Sequence, residues 1–189
     1  NCAALAEVWK GVACHENDCC FIVSGTGIGG AVIINGNLLE TGEYPGCEFG
    51  HMVIKENGLK CNCGRKGCFE KYGSMRAFKD NLRNELWLED KTSGKELMAI
   101  LKDTTKESKD YAKIEKVRKQ YIRDLSVGIA NLVNIFEPEA IGIGGSFVYF
   151  SEVLLQDVKK TILKEDMLFN PRKEINIQTA VLGNEAGII

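Results

Sequence analysis

Residues 19–39 read Cys19-Cys-Phe-Ile-Val-Ser-Gly25-Thr-Gly-Ile-Gly-Gly30-Ala-Val-Ile-Ile-Asn35-Gly-Asn-Leu-Leu39. The apolar run Cys19 to Ser24 predicts a short buried strand, Gly25 to Gly30 a turn, and Ala31 to Ile34 a second strand. Asn35-Gly36 is the dipeptide of a tight hairpin, which would lead into residues 37–40. The string Gly25 to Gly30 satisfies G-x-G-x-x-G, the dinucleotide-binding fingerprint. That fingerprint works only between a strand and a helix, where the pyrophosphate meets the helix N-terminus. Here a strand follows, so a Rossmann unit is excluded, and no G-x-x-x-x-G-K-[ST] string offers a P-loop. The chemistry of the glycines survives: without Cβ atoms, backbone amides can approach phosphate oxygens, and Thr26 adds a hydroxyl donor. The alternative is a glycine-rich hairpin with no ligand.

To the N-terminal side, residues 1–11 have the apolar spacing of an amphipathic helix, with Gly11 as its C-cap. With no initiator Met and no lead-in, the chain reads as a domain cut from something longer. To the C-terminal side, Thr41 to Gly73 is rich in Gly and Cys and too irregular for one element, which suggests that a cofactor or ion organises it. Met75 to about Lys119 is charged and helical. Tyr121 to Phe136 has the spacing of a largely buried helix closed by Pro138. Ala140 to Gly144 predicts a buried strand, Val153 to Leu163 a helix, and Ile175 to Val181 a last strand. Strands and helices alternating in this way predict an α/β fold.

Lys plus Arg number 24 against 26 Asp plus Glu, a net charge of -2, so no basic stripe is available for direct nucleic-acid binding. No stretch approaches the roughly 18 apolar residues of a membrane span, and no signal-peptide pattern opens the chain. A cytoplasmic protein is the expectation, and with it reduced thiols, which cluster more often around metal than in disulfides.

Of the eight cysteines, three fall in Cys61-Asn-Cys63-Gly-Arg-Lys-Gly-Cys68. Three soft thiolates in eight residues suit zinc, and glycines at 64 and 67 let the chain fold around an ion. Tetrahedral closure needs a fourth ligand, and His51 is the candidate, because His15 belongs to the polar turn His15-Glu-Asn-Asp18. Buried or disulfide-paired cysteines are the alternative. Cys2, Cys14, Cys19, Cys20 and Cys47 have no comparable spacing and read as small buried residues. Glu48 stands three residues before His51, and Glu70 two after Cys68. One ion would bring both carboxylates together, and paired acceptors suit the hydroxyls of a polyol. Surface solvation is their alternative, and a single Glu-x-x-His is weak support for a di-iron site. A fainter signal is Ile141-Gly-Ile-Gly144-Gly145-Ser146, which by itself reads better as a strand-to-helix connection than as a ligand loop.

Taken together, GTGIGGAVIINGNLL, GCEFGHMVI, CNCGRKGCFEKYGS, NIFEPEAIGIGGSF and AVLGNEAGII closely resemble the ROK family of sugar kinases and sugar-responsive repressors, in order and along essentially the whole chain. The resemblance implies an actin-like, ribonuclease H-like ATPase architecture, with residues 1–189 as the larger C-terminal domain, a zinc loop over residues 51–70, and an N-terminal domain outside this chain. It implies His51, Cys61, Cys63 and Cys68 as structural zinc ligands and Glu48, His51 and Glu70 as sugar contacts. Gly25, Thr26, Gly27, Gly29 and Gly30 would bind nucleotide phosphates, and Gly144 with Gly145 the adenosine side. The activity implied is ATP- and Mg2+-dependent phosphorylation of a hexose, in a homodimer. The sugar-sensing domain of a repressor is the alternative. Asn1 resembles the last residue of the family's Asn-Asp-Ala-Asn-like string, which would place the catalytic Asp upstream of Asn1. No catalytic residue then lies in this chain, which alone would be inactive.

Overall fold

A computed structural model describes residues 2–13, 16–40, 47–170 and 174–183. Its centre is a five-stranded mixed sheet of order β3-β2-β1-β4-β5, comprising β1 (Cys19–Ser24), β2 (Ile28–Ile34), β3 (Asn37–Leu38), β4 (Ala140–Gly144) and β5 (Ile177–Thr179). The first three strands form an antiparallel meander. The β2 to β3 turn is made by Asn35 and Gly36, with φ of 51° and 74°, the two left-handed residues that Asn-Gly supplies. β4 returns parallel to β1, and β5 parallel to β4.

β1 and β4 have the bounds that their apolar runs predict. β2 corrects the expected turn, because it starts at Ile28 and takes in Gly29 and Gly30, which pair with Val23 and Ile22. The turn proper is only Gly25 to Gly27. β5 is shorter than residues 175–181. The helix α1 (Cys2–Lys10) lies in the predicted place, but Gly11 does not cap it in a left-handed conformation. Glycine is needed there because a Cβ would stand 1.9 Å from the Glu7 carboxylate. Asn1, Cys14, His15, 41–46 and the end of the last motif, 184–189, lie outside the described residues.

Side chains alternate across the pleat and build two cores. Cys20, Ile22, Ile28, Val32, Ile141 and Ile143 face the helical layer, while Cys19, Phe21, Ala31, Ile33 and Ala140 face α1. The helical layer consists of α2 (Glu70–Gly73), α3 (Met75–Leu86), α4 (Gly94–Asp103), α5 (Tyr111–Phe136) and α6 (Ser151–Lys164). α5 begins ten residues before the predicted Tyr121, its charged first turns pairing outward through Arg118 with Glu115 and Asp157. It ends on left-handed Glu137 before Pro138. Ser93 and Glu96 close a capping box at the start of α4. No described helix is long and apolar enough to cross a membrane.

Candidate active site and metal centre

The segment between the hairpin and α3 contains little regular structure, and side chains and backbone bonds hold it together. A short 3-10 turn, Phe49–His51, packs against the start of β2, where a Cβ on Gly50 would meet the Ile28 carbonyl oxygen at 2.2 Å. The Phe69 N–H donates to the Met52 carbonyl at 2.7 Å, and the Ile54 N–H to Gly67 O at 2.9 Å, folding the cysteine loop back on itself. Gly64 and Gly67 take φ of 89° and 79°, as their place in the loop predicts.

This folding brings His51, Cys61, Cys63 and Cys68 together, with one ligand atom from each lying within 4.8 Å of the others. Tetrahedral zinc with bonds of about 2.3 Å to sulfur and 2.0 to 2.1 Å to nitrogen sets its ligands about 3.6 to 3.8 Å apart. Cys61 Sγ stands 3.6 Å from His51 Nδ1, and Cys63 Sγ 3.6 Å from Cys68 Sγ. The donor set and spacing therefore fit a four-coordinate ion, with Nδ1 as the histidine donor. Hydrogen bonds from the backbone and guanidinium of Arg65 hold the Cys63 thiol down at about 6, while burial pushes Cys68 up to about 12. A cation binding here would displace protons from the thiols that still carry them. Of the remaining cysteines, Cys19 and Cys20 are buried and Cys47 partly so; the side chains of Cys2 and Cys14 lie outside the described residues.

Two anchors fix the loop to α5. The Phe69 ring is fully buried against Gly128, where a Cβ would come within 2.2 Å of it. Lys55 Nζ lies 2.8 Å from the buried Asp124 carboxylate and 4.3 Å above the Tyr72 ring, and Gln120 Nε2 donates to Asp124 Oδ1 at 3.0 Å. Sequence reasoning missed these residues. A glycine inside a helical pattern was the available signal for Gly128, whereas Asp124 reads like any surface charge on a helix.

Glu70 opens α2 immediately after the loop, and its Oε2 accepts the Ile28 N–H at 3.1 Å. Glu70 and the 3-10 turn that carries His51 thus both contact Ile28 at the start of β2, Glu70 at its N–H and Gly50 at its carbonyl. Glu48 precedes the 3-10 turn as an exposed residue, its side chain making no capping bond. At the glycine turn, Gly25 N–H bonds to Gly27 O at 3.0 Å and Arg76 N–H to Gly25 O at 3.0 Å. The amides of Thr26 and Gly27 and the exposed Thr26 hydroxyl form its tip. A Cβ at Gly25 or Gly29 would meet nothing within 4 Å, so packing does not explain these two glycines. Ser24 Oγ, another residue missed in the sequence, donates to Gly73 O at 3.2 Å and accepts from Met75 N–H at 3.1 Å. Gly144 and Gly145, the latter at φ 73°, border an open cavity of about 500 Å3 lined also by Glu7, Val23, Tyr149 and Ala180.

A model of the ROK family matches residues 1–189. The chain belongs to the ROK family. One ROK relative is a glucokinase from Halalkalibacterium halodurans, 32% identical over 201 residues that take in 100% of this chain and 59% of that protein. A xylose repressor from Bacillus spizizenii is 29% identical over 162 residues, 86% of this chain and 40% of its own length. The structure of a ROK family glucokinase from Streptomyces griseus, solved with glucose and AMPPNP, matches with a TM-score of 0.78 at 27% identity, covering 99% of this chain and 63% of that one. The ROK fold is an actin-like ATPase fold with a mixed sheet, in agreement with the strand order above. This ROK chain spans about three-fifths of the length of the glucokinases it matches.

Proposed function

We propose that this chain is the large domain of an ATP-dependent hexose kinase of the glucokinase type. The observation that carries the reading is the meeting at Ile28: the Glu70 carboxylate accepts its N–H, and Gly50, next to His51 in the 3-10 turn, packs on its carbonyl, so both sugar-side segments contact the residue that follows the glycine turn. Acceptors for sugar hydroxyls and donors for phosphate oxygens then stand next to one another where Glu70 meets the glycine turn. Glu48, His51 and Glu70 would orient the sugar, with Thr26 and the glycines of residues 25–30 holding nucleotide phosphates and Gly144 with Gly145 beside the adenosine.

In the transfer, a sugar hydroxyl oxygen attacks the γ-phosphorus, the bond to the β-phosphate oxygen breaks, and the hydroxyl proton passes to a base that is assigned to no residue of this chain. Positioning supplies much of the rate in such reactions. Mg2+ entering with ATP supplies neutralisation of charge on the phosphates. Zinc would be held by His51, Cys61, Cys63 and Cys68 and would supply a structural node there.

The repressor relative favours a second reading, a sugar sensor. The open space above Gly25 and Gly29 favours the kinase, since a sensor has no need of a phosphate cradle. The test is ATP turnover by the complete protein with glucose, fructose and N-acetylated hexosamines. Sugar-dependent ADP formation is expected. In the active protein Glu48→Gln should keep its metal and lose about 1 to 3 kcal/mol in kcat/KM for sugar, because the amide presents a donor where a hydroxyl needs an acceptor. Sugar binding with no turnover would replace the kinase by the sensor.

A further inference from the structure

We propose that Glu70 is a positioning residue for the glycine turn as well as a sugar ligand, so that one carboxylate links the nucleotide and sugar halves of the site. The names of the two ligands rest on the kinase reading; the contact itself does not. Glu70 Oε2 accepts the N–H of Ile28, the first residue after the turn, at 3.1 Å. A Cβ on Gly27 would stand 2.1 Å from the same oxygen and 2.9 Å from the carboxylate carbon. Gly27 has no left-handed φ, so what a side chain there would disturb is the position of the Glu70 carboxylate on the Ile28 N–H.

The other end of the turn is held by the same stretch of chain, through Arg76 N–H on Gly25 O. Behind it, Ser24 Oγ and the buried Tyr121 hydroxyl both donate to Gly73 O, which fixes α2 to the end of β1. The turn is therefore clamped between Glu70 and Arg76, six residues apart and rooted in the core. Two consequences follow. The Ile28 amide is engaged by Glu70 and leaves phosphate binding to the tip amides and the Thr26 hydroxyl. A carboxylate has several acceptor positions, so Oε1 can take a sugar hydroxyl while Oε2 keeps the turn in shape. A turn ordered in advance binds phosphate without the cost of ordering it.

The test compares Glu70→Ala with Glu70→Gln in the complete protein, with metal content as the control for folding. Glu70→Ala is expected to weaken MgATP binding, measured by calorimetry without sugar, by about tenfold, the scale of one lost hydrogen bond to a charged group. The side-chain oxygen of Gln can still accept the Ile28 N–H, so Glu70→Gln should restore MgATP binding to about the parent value while sugar kcat/KM stays about tenfold down. A role in folding alone would produce no such split. Unchanged MgATP affinity in Glu70→Ala, or equal loss in both variants, would overturn the proposal. Amide exchange gives a readout independent of activity: Ile28 should exchange about tenfold faster in Glu70→Ala and stay protected in Glu70→Gln. If the parent binds neither nucleotide nor sugar, the kinase reading fails and exchange alone decides; parent-like protection of Ile28 in Glu70→Ala then sinks the clamp.

Discussion

Around β1 and β4 the core is held by many similar contacts, in which Ile22, Ile141, Ile143, Leu125, Ile129 and Leu154 are all buried and none has a unique partner. From Phe49 to Gly73 the chain is held instead by a few specific ones: four ligand atoms within 4.8 Å, one aromatic ring seated on a helix glycine, and one partly buried ion pair. Apolar burial sums over area, so a core of this kind loses stability in graded steps. A cluster of converging ligands loses its ion when a single one is removed. The candidate site thus falls in the region that depends on fewest contacts, with the redundant region as its scaffold.

The sharpest way to break this contrast is at the ligands. Chelation, or Cys63→Ser, should bring zinc below half an equivalent by elemental analysis and lower the Tm, with the loop around Lys55 and Tyr72 opening first in hydrogen exchange. Because binding displaces protons from thiols, zinc affinity should fall as pH is lowered. Full zinc in Cys63→Ser would remove the cysteine from the ligand set.

In the redundant region, Leu125→Ala should cost about 2 to 5 kcal/mol in denaturant unfolding and leave zinc content unchanged. Loss of zinc in that variant would show that loop and core do not come apart as separate units. Gly128→Ala tests the seam between the regions. Alanine in place of glycine ordinarily strengthens a helix by about 1 kcal/mol, but here the new methyl collides with Phe69. Destabilisation of about 1 to 3 kcal/mol is expected, relieved by Phe69→Leu. A gain in stability would mean that the ring is not seated where it lies.

Much of the scaffold was legible from pattern because pattern reports burial. β1 and β4 are unbroken apolar runs, and their bounds coincide with the observed strands. The meeting of His51, Cys61, Cys63 and Cys68 was equally legible, since three thiols in one short loop suit a tetrahedral ion, and four-coordination points to the nearby histidine. β2 was misjudged at its start because Gly29 and Gly30 carry no strand propensity; their pairing with Val23 and Ile22 comes from the neighbouring strand, not from their side chains. The first ten residues of α5 read as helical, but not as one helix with Tyr121 to Phe136. Their charges pair with Asp157 and Glu85 on other helices, and that polar surface hides the continuity of Ile114 and Val117 with the buried stripe that follows.

The amino-acid sequence by itself determined which residues are apolar, which can hold a soft cation and where the backbone can turn, because these are properties of side chains and of their spacing along one chain. Only the tertiary structure decided that Glu70 meets Ile28 across 42 residues, that Lys55 meets Asp124 across 69, and that Phe69 rests on Gly128. Each of these contacts joins separate elements, and its partner is fixed by how the helices dock on the sheet. That docking is set by summed burial over the whole core, which no local window of sequence contains.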